Sequence, residues 1–337
     1  MIAKPVSALA ALSLFALALA ADANGQGSSV APAGSNPIIR DRFTADPAPL
    51  VVGGRLYLYV GHDEARGNEM FTMREWLVYS TADMRRWTYH GPIMNVADFK
   101  WAKKDAWASQ AIRKHGRYWF YAAVEHDDTH PGKAIGVAVS DRPTGPFLDA
   151  KGSALITNQM TPKGTHSWED IDPTVFTDAD GVSWIAWGNR QCYLARLKPN
   201  MIELDGPIAE ITPPYFEEGP WLHKRGKLYY LTYASLDRSR DRDEKVSYAT
   251  APSIRGPWTY RGELTGSARS SFTIHPGIAR FKGRWYLFLH NAALSIGGQG
   301  GALGRRAVTV EYLRYNRDGM MKPVVQTEAG VSVPPPR

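Results

Sequence analysis

The sequence is short of cysteine, of long apolar runs and of helical periodicity, and each shortage removes a class of protein. One cysteine, Cys192, stands in 337 residues, which leaves no partner for an internal disulfide. Set in "QCYLARL" with no histidine nearby in sequence, it reads as a buried strand residue, not a nucleophile. The one apolar stretch of note, "VSALAALSLFALALA" at residues 6–20, is shorter than the ~20 residues of a spanning helix. Lys4 precedes it, and Ala18, Ala20, Ala21 and Ala23 offer A-x-A cleavage sites, the pattern of an export signal. Residues 1–20 are therefore expected to be a signal peptide cut within about 20–23. Residues 21–35, with "DANGQGSSVAPAGS", read as a flexible linker, and 36–337 as one folded domain that is exported and free of the membrane. No convincing amphipathic helical period follows. The formal charge of +7 is scattered, not striped, which argues against nucleic acid as a partner. The densest run, "LDRSRDRDEK" at 236–245, mixes both signs and reads as a solvated loop.

What is present is aromatic and turn-rich: 11 Trp, 16 Tyr, 11 Phe, 31 Gly and 23 Pro. That mixture favours an all-β chain of short strands, and flat rings suit the apolar faces of sugars. A pattern of Gly-x-x-aromatic inside apolar runs recurs at Gly54, Gly116, Gly181, Gly226 and Gly283. Each has an apolar stretch on either side, as in "PAPLVV" before and "LYLYVG" after, so each glycine is read as the turn of a β-hairpin. A further strand pair follows most hairpins, as in "WLVYSTADMRRWTYHGPI" and "VSYATAPSIRGPWTYRGEL". Five units of four antiparallel strands make a five-bladed β-propeller around a central channel.

In such a ring the first strands of successive blades line one channel. Counting back about eight residues from each turn glycine reaches Asp46, Asp172, Glu218 and His275; blade two is irregular and gives the Ser109–Gln110 region. Taken singly, each is an ordinary strand-entry residue beside Pro or Gly. At matching points in successive blades they converge. Two carboxyl groups about a glycosidic bond can hydrolyse it as acid and base. A third nearby would raise the pKa of the acid.

At these residues the chain resembles glycoside hydrolase family 43, through "TADPAPLV" with "LYLYVGHDE", "DIDPTVFTDADG", "EEGPWLHKRGKLYYLTYA", "HPGIARFKGRWYLFLHN" and "GRRAVTVEYLRYNRDG". The resemblance implies inverting hydrolysis of arabinose- and xylose-containing polysaccharide, with Asp46 as general base, Glu218 as general acid and Asp172 tuning and positioning Glu218. Glu217 is the neighbour that a one-residue shift would choose instead of Glu218; strand alternation separates the two, and the EGP motif selects Glu218. It also implies substrate contact from Arg306 or its neighbour Arg305. No cofactor is required, although His275 would stand near a water-ligated structural calcium. One departure is "WASQAIRKHGRYW", where the family carries a proline after "WA", which leaves the second-blade contact open.

Around these, Phe43, Trp107, Trp168 and His275 are candidates to touch the sugar, with Trp221 weighed alongside. "GHDE" (His62, Asp63, Glu64) resembles a metal cluster, but adjacent strand residues cannot all face one ion. "GGQGGALG" at 297–304 lacks the Lys-Ser/Thr of a phosphate loop and reads as a mobile loop. The expected activity is release of α-L-arabinofuranosyl units from arabinoxylan or arabinan. A β-xylosidase is the alternative within the class, and a non-catalytic carbohydrate-binding propeller the alternative outside it.

Overall fold

The computed structural model describes residues 31–161 and 166–334. The expected export signal and the linker as far as residue 30 lie outside the described residues. Each of the recurrent glycines sits in a hairpin turn. The hairpins are Thr44–Val52 with Arg55–His62, Ser109–Lys114 with Arg117–His126, Thr174–Thr177 with Ser183–Trp187, Phe216–Arg225 with Leu228–Ser235, and Gly277–Phe281 with Arg284–Asn291. All five turn glycines have φ between 60° and 84°, a region that side chains bearing a Cβ disfavour. Third strands then pair antiparallel to the second: Glu75–Thr81, Lys133–Ser140, Tyr193–Leu197, Lys245–Ala251 and Ala307–Leu313.

Second strands are apolar on both faces because each blade packs between two others. Ser183–Trp187 is buried at every position, and Leu228–Ser235 at all but the first. Three clusters show the stacking. Ile135 and Val137 of blade two pack with Ile185 and Trp187 of blade three. Ala186 and Leu194 of blade three pack with Leu231 and Tyr233 of blade four. Leu56 and Leu58 of blade one pack with Phe288 and Val310 of blade five. Burying one such side chain contributes about 1.5–3 kcal/mol. The inner strands touch in succession around the axis, and the first meets the last, so the sheets form a closed five-bladed β-propeller.

The fifth blade departs from the four-strand expectation. Its sheet has three strands, and the stretch after Leu313 contributes only an isolated bridge between Tyr315 and Met321. The fourth place is filled from the other end of the chain. Ile38 N–H donates to Val308 O at 2.9 Å and Thr44 N–H to Arg306 O at 2.9 Å. The Asn36 side chain both donates to Val310 O and accepts from Val310 N–H. Residues 36–44 thus fasten the first blade to the last. The tie begins inside the expected linker, where Gly34 O accepts from Val331 N–H.

Candidate active site

The starts of the inner strands surround a cavity of about 280 Å³, whose wall includes Asp46, Asp172, Glu218, His275 and Arg306. The backbone delivers these groups by a repeated device. Asp46 (φ 53°) and Asp172 (φ 59°) are both left-handed residues standing directly before proline. That conformation is uncommon for a non-glycine residue, and such strain gathers at functional sites. In blade one the ladder skips from Ala45 to Ala48, so Asp46 and Pro47 form a bulge that turns the carboxylate off the strand.

Blade four corrects the expected equivalence by one residue. Its left-handed position before proline is Gly219 (φ 59°), and Glu218 precedes it, with register shifts on both sides. A Cβ at 219 would stand 3.2 Å from His275 Nδ1. The site leaves little room for a side chain there, and the carboxyl comes from the residue before. Blade five contributes His275, whose Nδ1 lies 3.9 Å from both Asp46 Oδ1 and Asp172 Oδ2.

The carboxyls face opposite electrostatics. Asp46 Oδ1 accepts from Arg306 Nη1 at 3.1 Å and lies 3.3 Å from His290 Nδ1. Burial pushes the Asp46 carboxyl up, but the Arg306 charge outweighs it and holds the group well below the usual carboxylate range. Arg306 is fixed in turn by Asp63, at 2.9 Å to Nε and 3.0 Å to Nη2. The Asp46 N–H donates to His290 Nδ1, and His290 Nε2 faces Thr273 O at 3.0 Å. These partners assign the proton to Nε2 of a neutral ring, in keeping with burial pushing His290 down.

Asp172 accepts one N–H, from Gly219 at 2.9 Å. Burial, then the charges of Glu218 and Asp46, raise it well above the ordinary value. Glu218 accepts from Asn189 Nδ2 at 2.9 Å and is pushed up to about 7, first by burial and then by the charges of Glu217 and Asp46. An ionised Asp46 beside a protonated Glu218 is a base and an acid facing one cavity.

The other candidates divide. Trp107 and Trp168 line the cavity with rings 5.0 Å apart at 78°. Phe43 does not: just before the first strand it is buried with Leu294 and Ala307 of blade five. Trp221 is core. Arg306, not Arg305, reaches the cavity; Arg305 is spent on the carbonyls of Gly300, Ala65 and Gly67. Blade two sends Gln110 away to blade three, where its side chain both donates to Val175 O and accepts from Val175 N–H. His62 pairs with Glu75 at 3.0 Å, so "GHDE" is shared out among separate partners. Among the described residues no group of three or more His, Cys, Asp or Glu side chains is arranged to hold a metal ion. His275, pushed down to about 4 by burial, is a neutral ring, and calcium wants six to eight oxygens. The described residues do not supply such an oxygen set by themselves, so the expected calcium would depend on water for its ligands.

Several site residues went unseen in the sequence. Glu244 and Arg238 fall in the mixed-charge run read as a solvated loop, yet both line the cavity. Glu244 is 1% exposed and accepts from Ile274 N–H at 3.0 Å, while Arg238 pairs with Glu217. Asn189 and His290 carry no local signal, since they act through partners distant in sequence. Asp63 was visible in "GHDE", but its role needs Arg306 from the last blade. The "GGQGGALG" stretch folds partly into a short hairpin, Ser295–Ile296 with Gln299–Gly300, and puts Leu303 on the cavity wall.

Comparison with known proteins gives a consistent result. A family model described as "Glycosyl hydrolases family 43" matches residues 35–321. A protein of Bacteroides ovatus named "Xylosidase/arabinosidase" is 31% identical, over 82% of this chain and 93% of its own length. An "Arabinoxylan arabinofuranohydrolase" of Bacillus subtilis is 29% identical over 88% of this chain, which spans 65% of that longer protein. Among solved structures, a family 43 β-xylosidase/α-arabinofuranosidase from a compost microbial metagenome, in complex with xylotriose and in calcium-free form, superposes with a TM-score of 0.75. It is 28% identical, covering 87% of this chain and 98% of that one.

Proposed function

The chain belongs to glycosyl hydrolases family 43 and is a glycosidase, and from that premise we propose that it removes α-L-arabinofuranosyl units from arabinoxylan or arabinan with inversion. The observation that carries the mechanism is the opposed pair: Asp46 held ionised by Arg306, and Glu218 held protonated near neutral pH, on one cavity. Asp46 takes a proton from water as the water attacks the anomeric carbon. Glu218 gives its proton to the departing glycosidic oxygen. Such single displacement inverts the anomeric centre. Each group contributes ~10²–10⁴-fold. Asp172, in contact with the Gly219 N–H, fixes the backbone that carries Glu218. The reaction as written needs only carboxyls and water.

Arabinose is favoured by the arabinofuranohydrolase relative. The second reading, a β-xylosidase, is supported by the dual naming of the Bacteroides relative and by the xylotriose-bound neighbour. The N-terminal signal pattern supports export, to the periplasm or beyond the cell. A panel of aryl α-L-arabinofuranoside, aryl β-D-xyloside and arabinoxylan on the purified protein, with Glu218→Ala as control, separates the readings. Proton NMR of the first product follows the anomer. Faster turnover of the xyloside replaces the first reading with the second, and a retained anomer overturns the inverting scheme.

A further inference from the structure

Among the described residues Lys133 is the most deeply buried lysine: its side chain is 2% exposed. Nothing in the hydrolytic scheme uses it. Its ammonium lies 2.5 Å from Asp105 Oδ2 and 2.9 Å from Glu125 Oε2, and 3.6 Å from the centre of the Trp107 ring. Its own backbone N–H donates to Ser167 O at 2.7 Å, next to Trp168. A buried ammonium with two carboxylate partners is costly to assemble and costly to break. Here the assembly joins two pieces of cavity wall that are far apart in sequence, around Trp107 and around Trp168. Asp105 (φ 68°) stands two residues before Trp107. The Trp107 indole is held on further sides by Phe71, through Nε1–H to Phe71 O at 3.2 Å, and by the edge-on Trp168 ring at 5.0 Å. Trp168 is 40% exposed whereas Asp46 and Asp172 are 7% and 5% exposed. The wall therefore runs from beside the acids out to the mouth, where a polymer's remaining sugars must lie.

We propose that Lys133 is a positioning residue: it locks the Trp107–Trp168 wall in place, and through that wall sets the grip on sugar units beyond the one cleaved. The cation over one indole face and the ionic ties to Asp105 and Glu125 remove the ring's freedom to rotate. A rigid pair of rings at a right angle is a shaped surface for a neutral sugar chain. The inference rests on the glycosidase reading and deepens it.

The test compares a one-sugar aryl arabinofuranoside with an arabinoxylan oligosaccharide, in Lys133→Met, Trp168→Ala and the double variant. Lys133→Met is expected to lower kcat/KM for the oligosaccharide on the order of tenfold, mainly through KM, and to leave the aryl substrate within about twofold. In the Trp168→Ala background the same change is expected to do little more. Equal losses on both substrates, or full additivity with Trp168→Ala, overturn the proposal. Lys133→Arg keeps a buried cation and serves if the methionine variant fails to fold; it is expected to show the same bias toward the oligosaccharide in milder form, and no bias overturns the idea. A readout free of activity is the circular-dichroism couplet of the two close indoles. Its loss in Lys133→Met supports the clamp, and an unchanged couplet overturns it, even if the arabinofuranosidase reading fails because the unaltered protein cleaves only the xyloside.

Discussion

Asp46 and Asp172 are the same residue in the same backbone setting. Each is buried, left-handed and followed by proline, yet their carboxyls move in opposite directions. Both share His275 at 3.9 Å, but Asp46 also has Arg306 at 3.1 Å. Asp172 has one amide hydrogen bond and the nearby negative charge of Glu218. Burial raises both, and only a cation close by reverses the sign. The propeller repeats the scaffold, and the neighbours supplied by each blade decide the chemistry. Blade five, through Arg306, makes a basic side, and blades three and four, through Asp172, Glu218 and Glu244, an acidic side. The pocket works because the two halves of a near-symmetric ring are electrically unlike.

The comparison can be broken in order of effect. Asp46→Asn and Glu218→Gln are each expected to cost ~10²–10⁴-fold in kcat, yet to move stability in opposite senses. Glu218 is raised to about 7 in the folded chain, so its cost is absent below its unfolded value and complete above about pH 7. Glu218→Gln should therefore raise the unfolding free energy at pH 8, by up to about 3 kcal/mol, and bring no gain at pH 4. Asp46 is lowered, so its contribution is present at neutral pH and lost in acid, and Asp46→Asn should destabilise at pH 7. Urea unfolding at the two pH values reads both signs.

Removing the cation comes next. Arg306→Leu strands Asp63 and Asp46 in the interior and is expected to cost about 3–5 kcal/mol. It should also bring Asp46 toward the behaviour of Asp172, moving the acid limb of the pH–rate profile upward. Gly219→Ala is expected to cost about 1–2 kcal/mol in thermal unfolding, since alanine resists φ 59° and its methyl would press on His275. The smallest effect belongs to Asn189→Ala. The Asn189 amide pulls the Glu218 pKa down, so its loss should shift the alkaline limb up by less than about one pH unit.

The scaffold was far more legible in the sequence than the site was. Gly54, Gly116, Gly181, Gly226 and Gly283 marked every blade because a hairpin turn with positive φ selects glycine. The same count placed Asp46, Asp172 and His275, since strand entry is local geometry. It reached Glu218 as well, and the EGP motif chose that residue over Glu217, but the backbone assigns the equivalent left-handed position to Gly219. Phe43 lies off the cavity because blade five, distant in sequence, packs over the entry to the first strand and buries it. Glu244 and Arg238 were lost in a run of mixed charge, where sequence gives no clue that one glutamate turns inward. The fifth blade's fourth strand could not be found after Leu313, because residues 36–44 fill that place from the start of the chain. What reads locally was readable; what depends on closure of the ring was not.

The opposed-carboxyl site is tested by the pH dependence of kcat/KM for the aryl arabinofuranoside or xyloside, whichever is turned over. The expected profile is flat through the ordinary carboxylate range and falls on the alkaline side with a pKa of about 7, as Glu218 loses its proton. That limb should respond to Asn189→Ala, while the acid limb should enter the measurable range only in Arg306→Leu. A profile with both limbs at ordinary carboxylate values, or an alkaline limb indifferent to every change around Glu218, would contradict the opposed-carboxyl site.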